Sequence, residues 1–274
     1  MSIALPALNE EDVIAEVVGE ITAVVEGRLA DWELILIDDG SSDRTGAIMD
    51  ELAAAHPKLR AVHNASNLGL GNSFKVGLRE ARFPYYMMLC GDGGFPAASL
   101  QPILARMGSV DVVVPAIDNL KEIKTPLRYA MSRCYTLLMN ALFRQRLAYY
   151  NGLPLYRTAL LRALTITSSG FAFQGEVLTK LLKAGCSYVE VPVPGEERTR
   201  RSSALRLGNL ASIARTLLLL VVEMRRYDPA AVRRARAAAA SDAGATPAGR
   251  DMAEPRFDAV PVARIVRPQR AKTL

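Results

Sequence analysis

Apolar residues recur at two different spacings along the chain, and the alternation sets the expected elements. Ser2 to Leu5 is a short apolar run ended by Pro6. From Glu10 to Val25, residues Val13, Ile14, Val17, Val18, Ile21 and Val24 fall on one face at helical spacing. Leu34 to Ile37 is continuously apolar, the pattern of a parallel strand covered on both faces. Thr45 to Ala55 then predicts a helix, Leu59 to Val62 a strand, Gly71 to Ala81 a helix, and Tyr85 to Leu89 and Val110 to Val114 two more strands. Strands separated by helices predict a doubly wound α/β fold with a mostly parallel sheet. Ligands of such sheets bind outside the carboxyl ends of the strands. The polar clusters Asn9-Glu10, Asp38-Asp39, Asn67 to Gly71 and Asp92 stand at those ends.

The second half reads differently. Pro126 to Leu147 predicts a long amphipathic helix, Tyr149 to Gly152 a turn, Gly170 to Lys183 a loop and helix, and Ser187 to Val193 a strand. Leu205 to Tyr227 is amphipathic and flanked by arginine, suited either to packing on the domain or to lying on a membrane surface. No stretch reaches the ~18 uncharged apolar residues of a spanning helix. Beyond Tyr227 the composition narrows to Ala, Arg, Pro and Asp. The expected division is therefore a folded domain over 1–227 and a disordered tail over 228–274. Val260 to Val266 is a candidate docking segment within that tail.

Composition narrows the function classes. A formal charge of +6 and a pI near 9.3 suit nucleic acid, anionic lipid or phosphorylated substrates. No basic stripe is interleaved with aromatics, so nucleic acid ranks last. Cys90, Cys134 and Cys186 are scattered and form no CxxC, which argues against a disulfide framework or a structural zinc and for buried thiols in a reducing cytoplasm. His56 and His63 are the whole histidine complement, too few for a histidine-rich metal site. The first residues carry no charged leader, so no signal peptide is expected.

Two segments carry candidate chemistry. In Asp38-Asp39-Gly40-Ser41-Ser42-Asp43, two carboxylates at a strand end can accept bonds from a base edge and ribose hydroxyls, while Gly40 lets the backbone turn. The same residues also suit a plain turn with a helix cap. Asn67-Leu68-Gly69-Leu70-Gly71 offers a close backbone approach at a helix start, either for an anion or simply as helix entry. Glu176 reads either as a general base or as an acid favoured by a helix start.

Taken together, these motifs resemble the family 2 glycosyltransferases, in the branch of the dolichol- and polyprenol-phosphate mannosyltransferases. The segments carrying the likeness are Pro6-Ala7-Leu8-Asn9-Glu10, Asp38 to Asp43, Asn67-Leu68-Gly69, Gly170-Phe171-Ala172-Phe173-Gln174-Gly175-Glu176 and Glu190-Val191-Pro192. The resemblance implies a GT-A fold and a glycosyltransferase, inverting in mechanism, that uses a nucleotide-diphosphate sugar. It implies that Pro6, Ala7, Asn9, Glu10, Asp38, Asp39, Asn67 and Gly69 hold the nucleotide. It implies that Asp92 binds a divalent metal, Mg²⁺ or Mn²⁺, and that Arg128, Ser132 and Arg198 grip the phosphate of a polyprenyl phosphate at the membrane surface. The site residues expected for catalysis are Asp92 and Glu176, and the expected place is cytoplasmic, peripheral on the inner face of the plasma membrane. Cys90, Gly94, Ala148, Asn151 and Ala204 stand where the family carries other residues. A hydroxyl acceptor, with Glu176 as base, and a nucleotide-sugar-binding protein without catalysis are the alternatives.

Overall fold

The computed structural model describes residues 1–170, 173–195, 207–244 and 265–266. Its strands are β1 (Ser2–Ala7), β2 (Glu33–Asp38), β3 (Leu59–His63), β4 (Tyr85–Met88), β5 (Val112–Ile117), β6 (Leu155–Arg157), β7 (Tyr188–Val193) and the two-residue β8 (Ile265–Val266). Its helices are α1 (Ile14–Glu26), α2 (Thr45–Ala55), α3 (Leu70–Glu80), α4 (Leu100–Leu104), α5 (Leu120–Ile123), α6 (Pro126–Phe143), α7 (Thr158–Arg162), α8 (Phe173–Lys183), α9 (Leu207–Arg226) and α10 (Ala230–Gly244).

The sheet runs β3-β2-β1-β4-β6-β5-β7-β8. β1 is parallel to β2 and β4, and β2 to β3, so these four strands end on one edge. β6 is antiparallel to both β4 and β5, and β5 is parallel to β7. Every residue of β1 and β2 is buried. Side chains alternate between the two faces, as the pleat requires. Ile3, Leu5, Leu34 and Leu36 pack with Ile14, Val18 and Ile21 of α1 and Met49 of α2. Ala4, Ile35 and Ile37 pack with Phe74 of α3 and with α8. The helices thus cover both faces, and the doubly wound expectation holds.

Local departures have local causes. β1 continues through Pro6, which pairs with Ile37. On its other side β4 has already ended, so the missing proline N–H removes no ladder bond. β6 is three residues long, too short to show a period, and was not anticipated. Of the three thiols only Cys186 is buried; Cys90 is half-buried and Cys134 is exposed on α6. Ile265–Val266, inside the candidate docking segment, pairs antiparallel with β7; the rest of that segment lies outside the described residues.

The largest correction concerns the tail. Residues 230–244 are helical rather than disordered. Alanine and arginine are strong helix formers. The helix also has a docking face: Val232 is 1% exposed, and Arg236 Nε lies 2.7 Å from Asp111 Oδ2. Asp111 further accepts the Ser187 N–H and hydroxyl, each at 2.8 Å. A chain truncated after Asp228 should therefore unfold at a lower urea concentration than the full chain. Val232→Ala alone should cost about 1–2 kcal/mol, at ~0.8 kcal/mol per buried methylene. An unchanged midpoint on truncation would mean that α10 contributes nothing to the fold.

Candidate active site

The loops that follow β1, β2, β3 and β4 leave the same sheet edge and are bonded to one another. Asn9 takes a left-handed backbone, φ 56°, which asparagine tolerates better than most residues. Its Oδ1 accepts the Ser42 N–H at 2.8 Å, and its own N–H donates to Ser41 Oγ. The Glu10 N–H donates to Thr45 Oγ1 at 2.8 Å. Gly91 N–H donates to the Pro6 carbonyl at 2.9 Å, which joins the β4 loop to β1. Gly40 has φ +80°, and a Cβ there would stand 2.6 Å from the backbone of Ser66. Only glycine permits that approach of the β2 and β3 loops.

The two adjacent aspartates have separate tasks. Asp39 is 6% exposed and both its oxygens are engaged: Oδ1 by Asn64 Nδ2 at 2.8 Å and the Leu68 N–H at 3.0 Å, Oδ2 by the Gly69 N–H at 3.0 Å. Asp38 Oδ1 accepts the Ser41 N–H at 2.9 Å, and Oδ2 lies 3.1 Å from His63 Nδ1. Burial works against the Asp38 charge, but the hydrogen bonds from Ser41 and His63 outweigh it and hold the carboxyl below its ordinary value. His63 bridges to Asp50 at 2.9 Å as well, and these two acids raise its pKa.

The amino end of α3 is filled by the protein itself, which corrects the anion reading of the Asn67–Gly71 segment. Leu68 and Gly69 spend their N–H groups on Asp39, and the Gly71 N–H donates to the Ser169 carbonyl at 2.9 Å. A Cβ on Gly71 would meet Ser169 at 2.7 Å, so the segment before α8 lies directly on this turn.

Asp92, just past β4, shares the edge with Asp38. It is half-buried, and its Oδ1 accepts the Gly94 N–H at 3.1 Å. Among the described residues no three side chains of His, Cys, Asp or Glu converge. A hard divalent cation prefers about six oxygen ligands, and one carboxylate with Cys90 two residues away is a poor set. The residues present do not fit a metal held by the protein alone.

A second cluster lies past the carboxyl end of β5. Lys124, between α5 and α6, has its Nζ 3.2 Å from Ser132 Oγ and 3.3 Å from the Tyr149 hydroxyl, and 5.2 Å from that ring's centre. Burial, and then the neighbouring Arg128 guanidinium, lower its pKa to about 8. Arg128 and Ser132 are thus brought together as expected, one turn apart on α6. Sequence reasoning misses Lys124, which stands four residues before Arg128 but outside the helix, on extended backbone. Tyr149 is carried on a turn fixed by Glu190, whose Oε1 accepts the Ala148 N–H at 2.6 Å. Asn119 binds Gly195 in both directions, at 2.9 Å each, which places the end of the β7 segment beside α5. Arg198, expected to join the same phosphate, lies outside the described residues, as does Ala204.

Glu176 does not have the setting of a general base. It is 1% exposed, and its Oε1 accepts from Lys180 Nζ at 2.5 Å and from the Thr167 N–H at 2.8 Å, while Oε2 accepts the Ser168 N–H at 2.8 Å. Burial opposes its charge, but these bonds outweigh it and leave the carboxyl below its ordinary pKa. A carboxylate so held takes up a proton poorly.

Among the described residues no helix is long and apolar enough to cross a membrane. Exposed leucines gather on α6 (Leu127, Leu137, Leu138, Leu142), and Leu218, Leu219 and Val222 are exposed on α9.

A family model described as Glycosyl transferase family 2 matches residues 2–165. The chain is 25% identical over 214 residues to an undecaprenyl-phosphate mannosyltransferase of Micrococcus luteus, covering 74% of this chain and 86% of that protein. It is 26% identical over 223 residues to a polyprenol monophosphomannose synthase of Mycolicibacterium smegmatis, covering 76% and 82%. A dolichyl-phosphate beta-glucosyltransferase of Trichomonas vaginalis is 27% identical over 150 residues, covering 49% of this chain and only 44% of that protein. Among solved structures, glucosyl-3-phosphoglycerate synthase from Mycobacterium tuberculosis, in complex with Mn²⁺, UDP and phosphoglyceric acid, superposes with a TM-score of 0.59 at 20% identity, over 81% of this chain and 77% of that one. That likeness supports the same fold, GT-A. With the family matched over more than half its length, the chain belongs to glycosyl transferase family 2.

Proposed function

We propose that this chain transfers a sugar from a nucleoside-diphosphate donor to an acceptor phosphate at a membrane surface, with a polyprenyl phosphate as the acceptor. The donor lies along the rim formed by Pro6, Ala7, Asn9, Glu10, Asp38, Asp39, Asn67, Gly69 and Asp92. The acceptor phosphate lies among Lys124, Arg128, Ser132 and Tyr149, with Arg198 joining it. The observation that carries the reading is the Lys124–Arg128 pair. Two cations sit close enough for one to depress the other's pKa, flanked by two hydroxyls, and no acid pairs with either among the described residues. An anion placed between them relieves both charges. The exposed leucines of α6 begin beside this pair, at Leu127, which suits an acceptor whose phosphate stands on a long apolar chain.

In this reading an acceptor phosphate oxygen attacks the anomeric carbon while the bond to the donor diphosphate breaks, and one displacement inverts that carbon. A phosphate monoester has its second pKa at ~6, so the nucleophile is already anionic near neutral pH and needs no base. That agrees with the bound state of Glu176 and with alanine at position 148. The metals held by related proteins have no complete counterpart here, so no step of this reading runs through one.

The phosphoglyceric acid bound by the structural neighbour supports a second reading, in which the same cation pair holds a small phosphorylated acceptor. Radiolabelled transfer to polyprenyl phosphate, to phosphoglyceric acid and to an uncharged alcohol separates the cases. We expect product with polyprenyl phosphate, and Arg128→Ala or Lys124→Ala should each lower kcat/KM by ~10–100-fold, the worth of a charge-assisted hydrogen bond. Robust transfer to the uncharged alcohol would contradict the reading.

The sign of the pH dependence follows from Lys124. Its pKa is lowered to about 8, so its charge is present below that pH and lost above it. The acceptor KM should rise as pH passes upward through 8. Lys124→Arg should remove that rise, because arginine stays charged. A wild-type KM flat from pH 7 to 9 would count against Lys124 as a ligand.

Leu137→Ser with Leu138→Ser should weaken sedimentation with phosphatidylglycerol vesicles by ~10-fold or more, from the apolar area lost. Equal sedimentation would remove α6 from the membrane contact.

A further inference from the structure

Between α8, α9 and the segment leading into α8 lies a buried polar cluster that the roles above leave unused. Its centre is Lys180, 1% exposed. The Lys180 ammonium donates to Glu176 Oε1 at 2.5 Å, to Glu223 Oε1 at 2.7 Å and to the Thr165 carbonyl at 2.6 Å. An ammonium has three donors, and here all three are placed. The Thr167 hydroxyl stands 3.1 Å from Glu176 Oε1 and 3.2 Å from Glu223 Oε2, so it faces both acids.

Among the described side chains, Glu223 is the member of this cluster contributed by α9, the last long helix before the described chain turns into α10. From it the bonded path runs through Lys180 to Glu176, and from Glu176 to the N–H groups of Thr167 and Ser168. The next residue, Ser169, receives the Gly71 N–H. Gly71 belongs to the turn whose Leu68 and Gly69 amides are bound to Asp39. Each contact is charge-assisted, buried or sterically closed. A Cβ on Gly71 would strike Ser169, so the segment has little room to settle elsewhere.

We propose that Glu223 is a positioning residue: it fixes the 165–169 segment through Lys180 and Glu176, and thereby sets the Asn67–Gly71 turn beside Asp39. Lys180 needs a second acid because Glu176 already shares its charge with two backbone amides and a hydroxyl. Without the Glu223 charge, Lys180 is drawn more fully to Glu176, and the hold on Thr167 and Ser168 loosens. The coupling itself rests on bonded geometry. Its consequence for catalysis rests on the reading of that rim as the donor site.

The test uses the full chain with Glu223→Gln, which leaves a neutral Lys180–Glu176 pair and an amide oxygen still able to accept from Lys180. Hydrogen exchange should quicken by ~10-fold or more at the Thr167 and Ser168 amides, the scale of one charge-assisted hydrogen bond, and stay unchanged in β1 and α1. Thr167→Val should quicken the same amides, and the double variant should show less than the product of the two effects. Calorimetric titration with UDP and with GDP should show several-fold weaker binding in Glu223→Gln for whichever nucleotide the wild type binds. Unchanged exchange at Thr167 and Ser168 would overturn the coupling. Faster exchange with undiminished nucleotide affinity would overturn its role at the rim. A wild type that binds neither nucleotide would instead contradict the donor reading, and the exchange result would still decide the coupling.

Discussion

Asp39 is the constraint on which the rest of this molecule turns. It follows the last residue of β2 inside the protein, where an unpaired carboxylate is costly. Its oxygens are satisfied only because the β3–α3 segment folds back to offer Asn64, Leu68 and Gly69. That demand explains why Gly40 must be glycine and why the turn before α3 is so tightly placed. Asp38, one residue earlier, is as buried, and Ser41 and His63 engage its two oxygens and hold its carboxyl below its ordinary value. One acid thus ties the β2 loop to the turn before α3, and the other ties it to β3.

The charges on this edge are separated by sign. Asp38, Asp39 and Asp92 follow β2 and β4, while Lys124 and Arg128 follow β5 on the far side of β6. Only the second group offers counter-charge to an anion; the acids of the first suit hydroxyl and base-edge donors instead. Sheet order keeps the two groups apart on a common edge. The covering helices serve the same arrangement. α6 carries Arg128 and Ser132 from its half-buried side and leucines from its exposed side, so one helix joins the Lys124 cluster to an apolar surface.

Much of this was legible in the sequence because parallel strands buried on both faces read as plain apolar runs. Leu34 to Ile37 and Thr45 to Ala55 fall within or on the observed elements. Polar residues gathering at strand ends also gave the rim. What escaped depends on contacts distant in sequence. β6 is only Leu155–Arg157 and takes its place from pairing with β4 and β5 on either side. α10 looked like a low-complexity tail because its docking face, with Val232, Ala235 and Arg236, is small, and Asp111 lies far away in the chain. The general-base reading of Glu176 stood beside the helix-start one because sequence could not show Lys180 one turn later lying buried against it. Lys124 was passed over because an isolated lysine is ordinarily solvated, and only the fold sets it against Arg128, Ser132 and Tyr149.

The central claim is that one sheet edge seats both reactants, the donor over Asp38 and Asp92 and an acceptor phosphate between Lys124 and Arg128. A crystal structure of the chain soaked with a nucleoside diphosphate and a short-chain polyprenyl phosphate tests it most directly. The account predicts the nucleoside against Asp38 and the β1 segment, its diphosphate reaching toward Asp92, and the acceptor phosphate within hydrogen-bond distance of Lys124 and Arg128. A nucleotide bound away from this edge, or a phosphate that avoids both cations, would contradict it.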